Sequence, residues 1–169
     1  MYAIVKDGAI TATASTVQKL FPNTSFPSVP NTDFLTENNV KDVVHGEQKN
    51  RVYYFVTEGN IELVDGVPTQ QYTNTAKAMD DSTTDGVTTI GLKTSMTDKV
   101  KINAGQLLSR TDWMVIRKYE RDVAIPSATA TYRAAVITEC TRLESAIAGA
   151  GDVDALATVM AAQNWPKEP

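Results

Sequence analysis

The chain has little of what most catalytic and metal chemistry needs. Among 169 residues there is one cysteine, Cys140, and one histidine, His45. One cysteine excludes an internal disulfide framework and any zinc site built on several thiolates. One histidine leaves a serine or cysteine nucleophile only a single candidate imidazole base. No run approaches the roughly 18 consecutive apolar residues of a membrane span. The start, MYAIVKDGAI, lacks the basic and long apolar stretches of a signal peptide, so synthesis in a cytoplasm is expected, with either retention there or exit without the secretory pathway. Basic excess is missing too. The net charge is -4 and the pI about 5.0, the wrong sign for a general nucleic-acid binder.

What is present is an ordinary globular composition, 42% hydrophobic and 21% charged. A chain this long can bury about two thirds of its unfolded surface and needs no covalent staple.

The pattern changes along the chain, and the expected fold class is α+β. An antiparallel β-rich domain with hairpins is expected over residues 1–78. A polar linker follows over 79–93, then a helical domain of about three helices over 94–169. Asp7-Gly8 and Asp65-Gly66 each interrupt alternating segments, a strong hairpin signal because both turn positions tolerate positive φ. A third pair, Asp85-Gly86, marks either a linker or an exposed hairpin. Ser15 and Gln18 have capping-box spacing ahead of a short helix. The three-proline run from Phe21 to Thr32 reads as a loop, and TDFLTENN adds a helical turn. VKDVVHG and NRVYYFVTEG are strand-like. Pro68 has no N–H for a ladder, which puts the second hairpin at a sheet edge.

In the C-terminal half, Val100, Ala104, Leu107, Leu108 and Thr111 share one helix face. Thr94, Ser95 and Thr97 are candidate N-caps. Pro126 suits the first turn of the next helix, whose stripe is Tyr132, Val136, Cys140, Leu143 and Ile147. Gly149 and Gly151 terminate it. Asp152 caps a third helix with the face Val153, Leu156, Ala157 and Met160, and Trp165 is either an apolar plug for the bundle or an exposed partner contact.

No residue set asks for catalysis, a cofactor or a metal. There is no Gly-x-Ser-x-Gly elbow, phosphate loop or dinucleotide fingerprint. Asp80, Asp81 and Asp85 lack the closing glutamate of a calcium loop, and His45 reads as an exposed strand-end histidine. Non-enzymatic function is therefore expected. The densest segment is LLSRTDWMVIRKYERDVAIP, residues 107–126. Arg110, Arg117, Lys118 and Arg121 interleave with Trp113 and Tyr119 as in single-strand grips. Asp112, Glu120 and Asp122 leave it only +1, so surface or interface charge is the better reading and no nucleic acid is expected.

This segment carries a resemblance. Leu107, Leu108, Thr111, Asp112 and Trp113, a polar crossing, then Ile125, Pro126, Tyr132, Arg133 and Val136 resemble the C-terminal signature of tailed-bacteriophage tail proteins. These are labelled tail fibre proteins, tail fibre-like virion proteins or tail assembly chaperone-like proteins. MYAIVKDGAIT, PNTSFPS and ELVDGVPTQ resemble the N-terminal part of the same family. The resemblance implies a structural protein of the baseplate or tail fibre, synthesised in the host cytoplasm and resident in the virion tail. It implies other phage tail proteins as partners, several copies per assembly, and no catalytic residues, cofactor or membrane. The alternative is a tail or tail-fibre assembly chaperone absent from the particle. A third reading, a glycan-binding adhesin, would use Tyr53, Tyr54, Phe55 and Tyr72. The expected structural or interface residues are Leu107, Leu108, Asp112, Trp113, Arg117, Tyr119, Pro126, Tyr132, Arg133 and Trp165, with Leu107 and Leu108 facing the core. Among them Trp113 is expected to be mostly buried between two helices, with Arg133 or Arg117 pairing with Asp112.

Overall fold

A computed structural model describes residues 1–26 and 30–169, in two units, Met1–Thr75 and Ala76–Pro169. The chain is α+β, with small sheets in the first unit and long helices in the second.

In the first unit, β1 (Tyr2–Lys6) and β2 (Ala9–Ala14) form an antiparallel hairpin across Asp7-Gly8, and β3 (Val40–Asp42) pairs with β1 on its other side. Asp7 and Gly8 both have positive φ, 50° and 73°. Asp65-Gly66 and Asp85-Gly86 repeat that geometry, so the mirror-image turn expected at all three sites forms. Between β2 and β3 lie α1 (Val17–Leu20) and α2 (Thr32–Glu37). The α1 cap is Thr16, whose Oγ1 accepts from Lys19 N–H, rather than the expected Ser15. Shifting the cap by one residue buries Val17, which α1 uses as its anchor. Phe21, Phe26 and Phe34 pack edge to face beside these helices, with centroids 4.9–6.5 Å apart. Part of the three-proline loop, residues 27–29, lies outside the described residues.

A second sheet has the order β4 (Val44–His45), β6 (Val67–Ala76), β5 (Tyr54–Val64). Two sequence expectations are corrected here. The strand-like runs on either side of Gly59 are one strand, β5, and the unit is not purely antiparallel, because β4 runs parallel to β6. Pro68 lies in the central strand β6, not at an edge. The β4 ladder starts only at Thr69, one residue beyond it, so the missing N–H falls outside that ladder and the ring is buried.

The second unit opens with β7 (Ser82–Thr84) and β8 (Val87–Thr89), an exposed antiparallel hairpin within the stretch expected as linker. Four helices follow where about three were expected: α3 (Leu92–Ser109), α4 (Asp112–Arg121), α5 (Ser127–Gly149) and α6 (Val153–Ala161). The start of α3 is capped from outside the helix, not by Thr94, Ser95 or Thr97. The Asp81 carboxylate accepts from Gly91 N–H at 2.6 Å and from the Thr94 hydroxyl at 3.1 Å. Gly91 is needed there, since a Cβ would fall 2.4 Å from the Asp80 carbonyl carbon.

Leu92, Met96, Val100 and Ala104 recur every fourth residue and form the buried stripe of α3. They belong to one core with Tyr132, Val136, Leu143 and Ile147 of α5 and Val153 and Leu156 of α6. Each full-sized apolar side chain buried there contributes about 1.5–3 kcal/mol of transfer free energy. α5 ends at Gly149 as the glycines suggest, but its cap is Ala150 in an extended conformation, so neither glycine uses left-handed backbone. Asp152 caps α6 as expected, accepting from Ala155 N–H at 2.7 Å.

Candidate interaction surface

The segment that stood out for its charge is not an irregular crossing. Residues Asp112–Arg121 form α4, a ten-residue helix. No Gly or Pro interrupts DWMVIRKYER, and its first and last turns carry acid and base in the order the helix dipole favours: Asp112 first, Lys118 and Arg121 last. Lys118 pairs with Asp122, which ends the helix in left-handed backbone at φ 54°.

The joint between α3 and α4 is held from α5. Arg133 Nη1 donates to the Leu108 carbonyl at 2.9 Å and to Thr111 Oγ1 at 2.7 Å, while Nη2 pairs with Asp112 at 2.8 Å. Thr111 is buried and also donates to the Leu108 carbonyl. Tyr132 O–H donates to the Leu107 carbonyl at 3.4 Å. The guanidinium fork thus adds donors to the Leu108 carbonyl, which already accepts from Thr111 N–H, and to the Thr111 hydroxyl, tying the end of α3 to the start of α4. Of the two partners expected for Asp112, the structure selects Arg133.

Leu107 and Leu108 pack against the cluster of Ala104, Tyr132 and Val136, as expected, and so does Trp165, whose Nε1 donates to Gln163 at 2.8 Å. Pro126 caps α5 from just outside the helix and is exposed. Cys140 borders the same cluster. Burial pushes its thiol above the ordinary range, and Sγ donates to Glu144 at 3.5 Å, which suits a packing residue rather than a nucleophile.

Trp113 contradicts its expected burial: it is 52% exposed. The reason is the orientation of α4. Met114 and Arg117, one turn apart, are the half-buried residues. Trp113, Ile116 and Tyr119 lie three apart on another face, with Val115 at its border, and they point outward. Ile116 is 56% exposed and Tyr119 92%. The Arg117 guanidinium carbon sits 4.7 Å from the centroid of the Trp113 ring, holding the indole in place. Arg117 Nε is the one buried side-chain nitrogen or oxygen without a partner among the described residues. The rim expected from Arg117 to Asp122 is therefore exposed from Lys118 onward, with Arg117 half-buried beneath it.

One buried polar cluster escaped the sequence reading. Glu139 sits among the apolar positions of α5 and accepts from Arg142 Nε and Nη2, each at 2.7 Å, and from Asn164 N–H at 2.7 Å. Arg142 Nη2 also donates to the Ala162 carbonyl at 3.1 Å. The pair ties the segment after α6 to α5, and Arg110–Glu168 adds a surface tie at 2.9 Å. Arg142 holds the Glu139 carboxyl below its ordinary range. A Glu at a stripe position, three residues before an Arg, was the available signal.

In the first unit, His45 is exposed on β4, with Nδ1 2.6 Å from the Tyr72 hydroxyl. Of the aromatic quartet, Phe55 is exposed, Tyr54 is buried, and Tyr53 and Tyr72 are half-buried. They do not make one exposed platform. Among the described residues no group of three or more His, Cys, Asp or Glu could hold a metal ion, and no helix is long and apolar enough to cross a membrane. Comparison with family models, with curated proteins and with solved structures gives no match.

Proposed function

We propose that this protein is a non-enzymatic structural component of a bacteriophage tail, associated with the baseplate or fibre and acting by protein–protein contact. The observation that carries the reading is the outward apolar face of α4. It lies within the segment that resembles tail proteins and is held in place by Arg133. A monomer rarely displays Trp, Ile and Tyr together on a rigid helix unless a partner covers them. Trp, Tyr and Arg are also the residue types that dominate interface energetics. Other tail proteins are the proposed partners, and the acidic pI fits partners that are not nucleic acid.

Mass spectrometry of purified virions tests this. The chain is expected in the particle, at a fixed ratio to the other tail proteins. Its presence in infected-cell lysate but absence from particles would replace the structural reading with the assembly-chaperone one.

A further inference from the structure

From the three Asp-Gly turns we infer that Asp85 is this chain's principal site of spontaneous backbone isomerisation, where the normal peptide link to Gly86 becomes a link through the side chain. The Gly86 nitrogen attacks the Asp85 side-chain carboxyl carbon, a C–N bond forms, and the nitrogen's proton leaves with the carboxyl hydroxyl as water. The product is a cyclic imide. Water then adds back to either imide carbonyl and breaks that C–N bond. One opening restores the original link, and the other leaves the backbone running through Cβ and Cγ. No oxidant or co-reactant is consumed. Glycine after the aspartate favours attack, because no Cβ shields its nitrogen.

The three pairs are alike locally. Asp7, Asp65 and Asp85 are all exposed, and a Cβ on the following glycine would meet nothing within 4 Å. Their aspartate φ is 50–52° and their glycine φ 73–78°. A closed turn fixes that geometry. Ring closure needs rotation about the aspartate backbone, so the rate follows how often each turn opens. The strands behind the turns decide this. The Asp7 turn is closed by β1, which pairs on both sides and buries Ala3 completely. The Asp65 turn joins strands of eleven and ten residues, and Lys41 Nζ donates to the Gly66 carbonyl at 2.8 Å. The Asp85 turn joins β7 and β8, three residues each, in a sheet of two strands. Every residue from 80 to 90 is exposed. A two-stranded hairpin with no buried face is marginal in water. Its base is pinned by Asp81, which holds Gly91 N–H and the Thr94 hydroxyl, so the tip opens while α3 stays in place.

This chemistry needs no partner, so it stands or falls apart from the tail reading. The test is tryptic peptide mapping of the full chain after weeks in neutral buffer, with electron-transfer fragmentation to separate the two aspartate linkages. Lys6, Arg51, Lys77 and Lys93 put the three pairs in separate peptides. Isomerisation at Asp85 is expected to run at least about ten-fold faster than at Asp7 or Asp65, because a lone hairpin opens at lower free energy. In concentrated urea the three rates should converge to within about two-fold, since the strands are gone. Thr83→Cys with Thr88→Cys, in a Cys140→Ser background, joins β7 to β8 at the pair whose hydroxyls lie 3.1 Å apart. Oxidised, this variant is expected to slow Asp85 at least about five-fold, and reduction should restore the wild-type rate. Asp7 or Asp65 isomerising as fast as Asp85 in the folded chain overturns the inference. So does an Asp85 lead that persists in urea, which would make neighbouring sequence the cause. An oxidised variant that isomerises at the wild-type rate overturns it as well.

Discussion

Replacing Arg133 with Ala removes a side chain that joins three helices. The side chain is 18% exposed, and its guanidinium donates one hydrogen bond to the last turn of α3 and one to Thr111, the N-cap of α4, and makes an ion pair with the first residue of α4. Hydrogen bonds to a charged group contribute about 1.5–3 kcal/mol each when measured by deletion. Here the two acceptors lie side by side and Thr111 Oγ1 keeps its own bond to the Leu108 carbonyl, so the pair together is worth about 2–3 kcal/mol. Asp112 is half exposed, and an ion pair of that kind adds at most about 1 kcal/mol. Arg133→Ala is therefore expected to cost about 3 kcal/mol, with Asp112→Asn costing under about 1 kcal/mol. For a helical unit of this size the former lowers the thermal midpoint by roughly 15 °C. Arg133→Lys keeps the charge but not the fork and falls between the two. Thermal denaturation followed by circular dichroism at 222 nm, with urea titrations for the free energies, measures all three. If Arg133→Ala cost no more than Asp112→Asn, the fork would not be what holds the joint, and the fixed position of α4 would need another cause.

Trp113→Ala is expected to change stability by under about 0.5 kcal/mol in dilute solution, because the indole is half in water. The same variant should lose the red-shifted part of the tryptophan emission and keep the blue-shifted part from Trp165, which fluorescence spectra will show. The Glu139 carboxyl sits below its ordinary value of 4.5 through its bonds to Arg142 and Asn164 N–H. Its contribution is complete above that value and disappears as pH falls through the lower folded-state value. Wild type should thus lose part of its thermal midpoint on acidification over this range, while Glu139→Gln, less stable at neutral pH, should show a shallower loss. Parallel pH-dependent slopes for the two proteins would show that Glu139 is not the titrating group.

The sequence displayed different parts of this account unequally. Turn chemistry was legible because Asp-Gly pairs demand positive φ locally, and all three turns form. The buried stripes of α3 and α5 were legible because apolar spacing reports which face meets a core. The identity of α4 was obscured because its apolar face does not meet the core. Charge between Trp113 and Tyr119 suggested a polar crossing, and burial of Trp113 was inferred from its size alone. Helix orientation is set by what the opposite face can do. Met114 and the aliphatic stem of Arg117 supply the inward contact, leaving the larger residues outside. The edge position assigned to Pro68 failed for a related reason. A proline is excluded only where a ladder bond is needed, and where β4 begins is a tertiary fact. The N–H groups that open α3 are satisfied by the Ala78 and Met79 carbonyls, with Asp81 bonding Gly91 N–H beside them, and such partners from outside the helix leave no local signature.

Cross-linking mass spectrometry on purified phage tails tests the central claim, that this chain is a tail component docked through α4. With an amine-reactive reagent, Lys118, at 48% side-chain exposure, is the reporter on that helix. The account predicts that the chain is recovered from particles and that Lys118 cross-links to a neighbouring subunit, either another copy or a different tail protein. Recovery of the chain only from lysate, or cross-links from Lys6, Lys41 and Lys77 with Lys118 free and modified as a dead end, would contradict it.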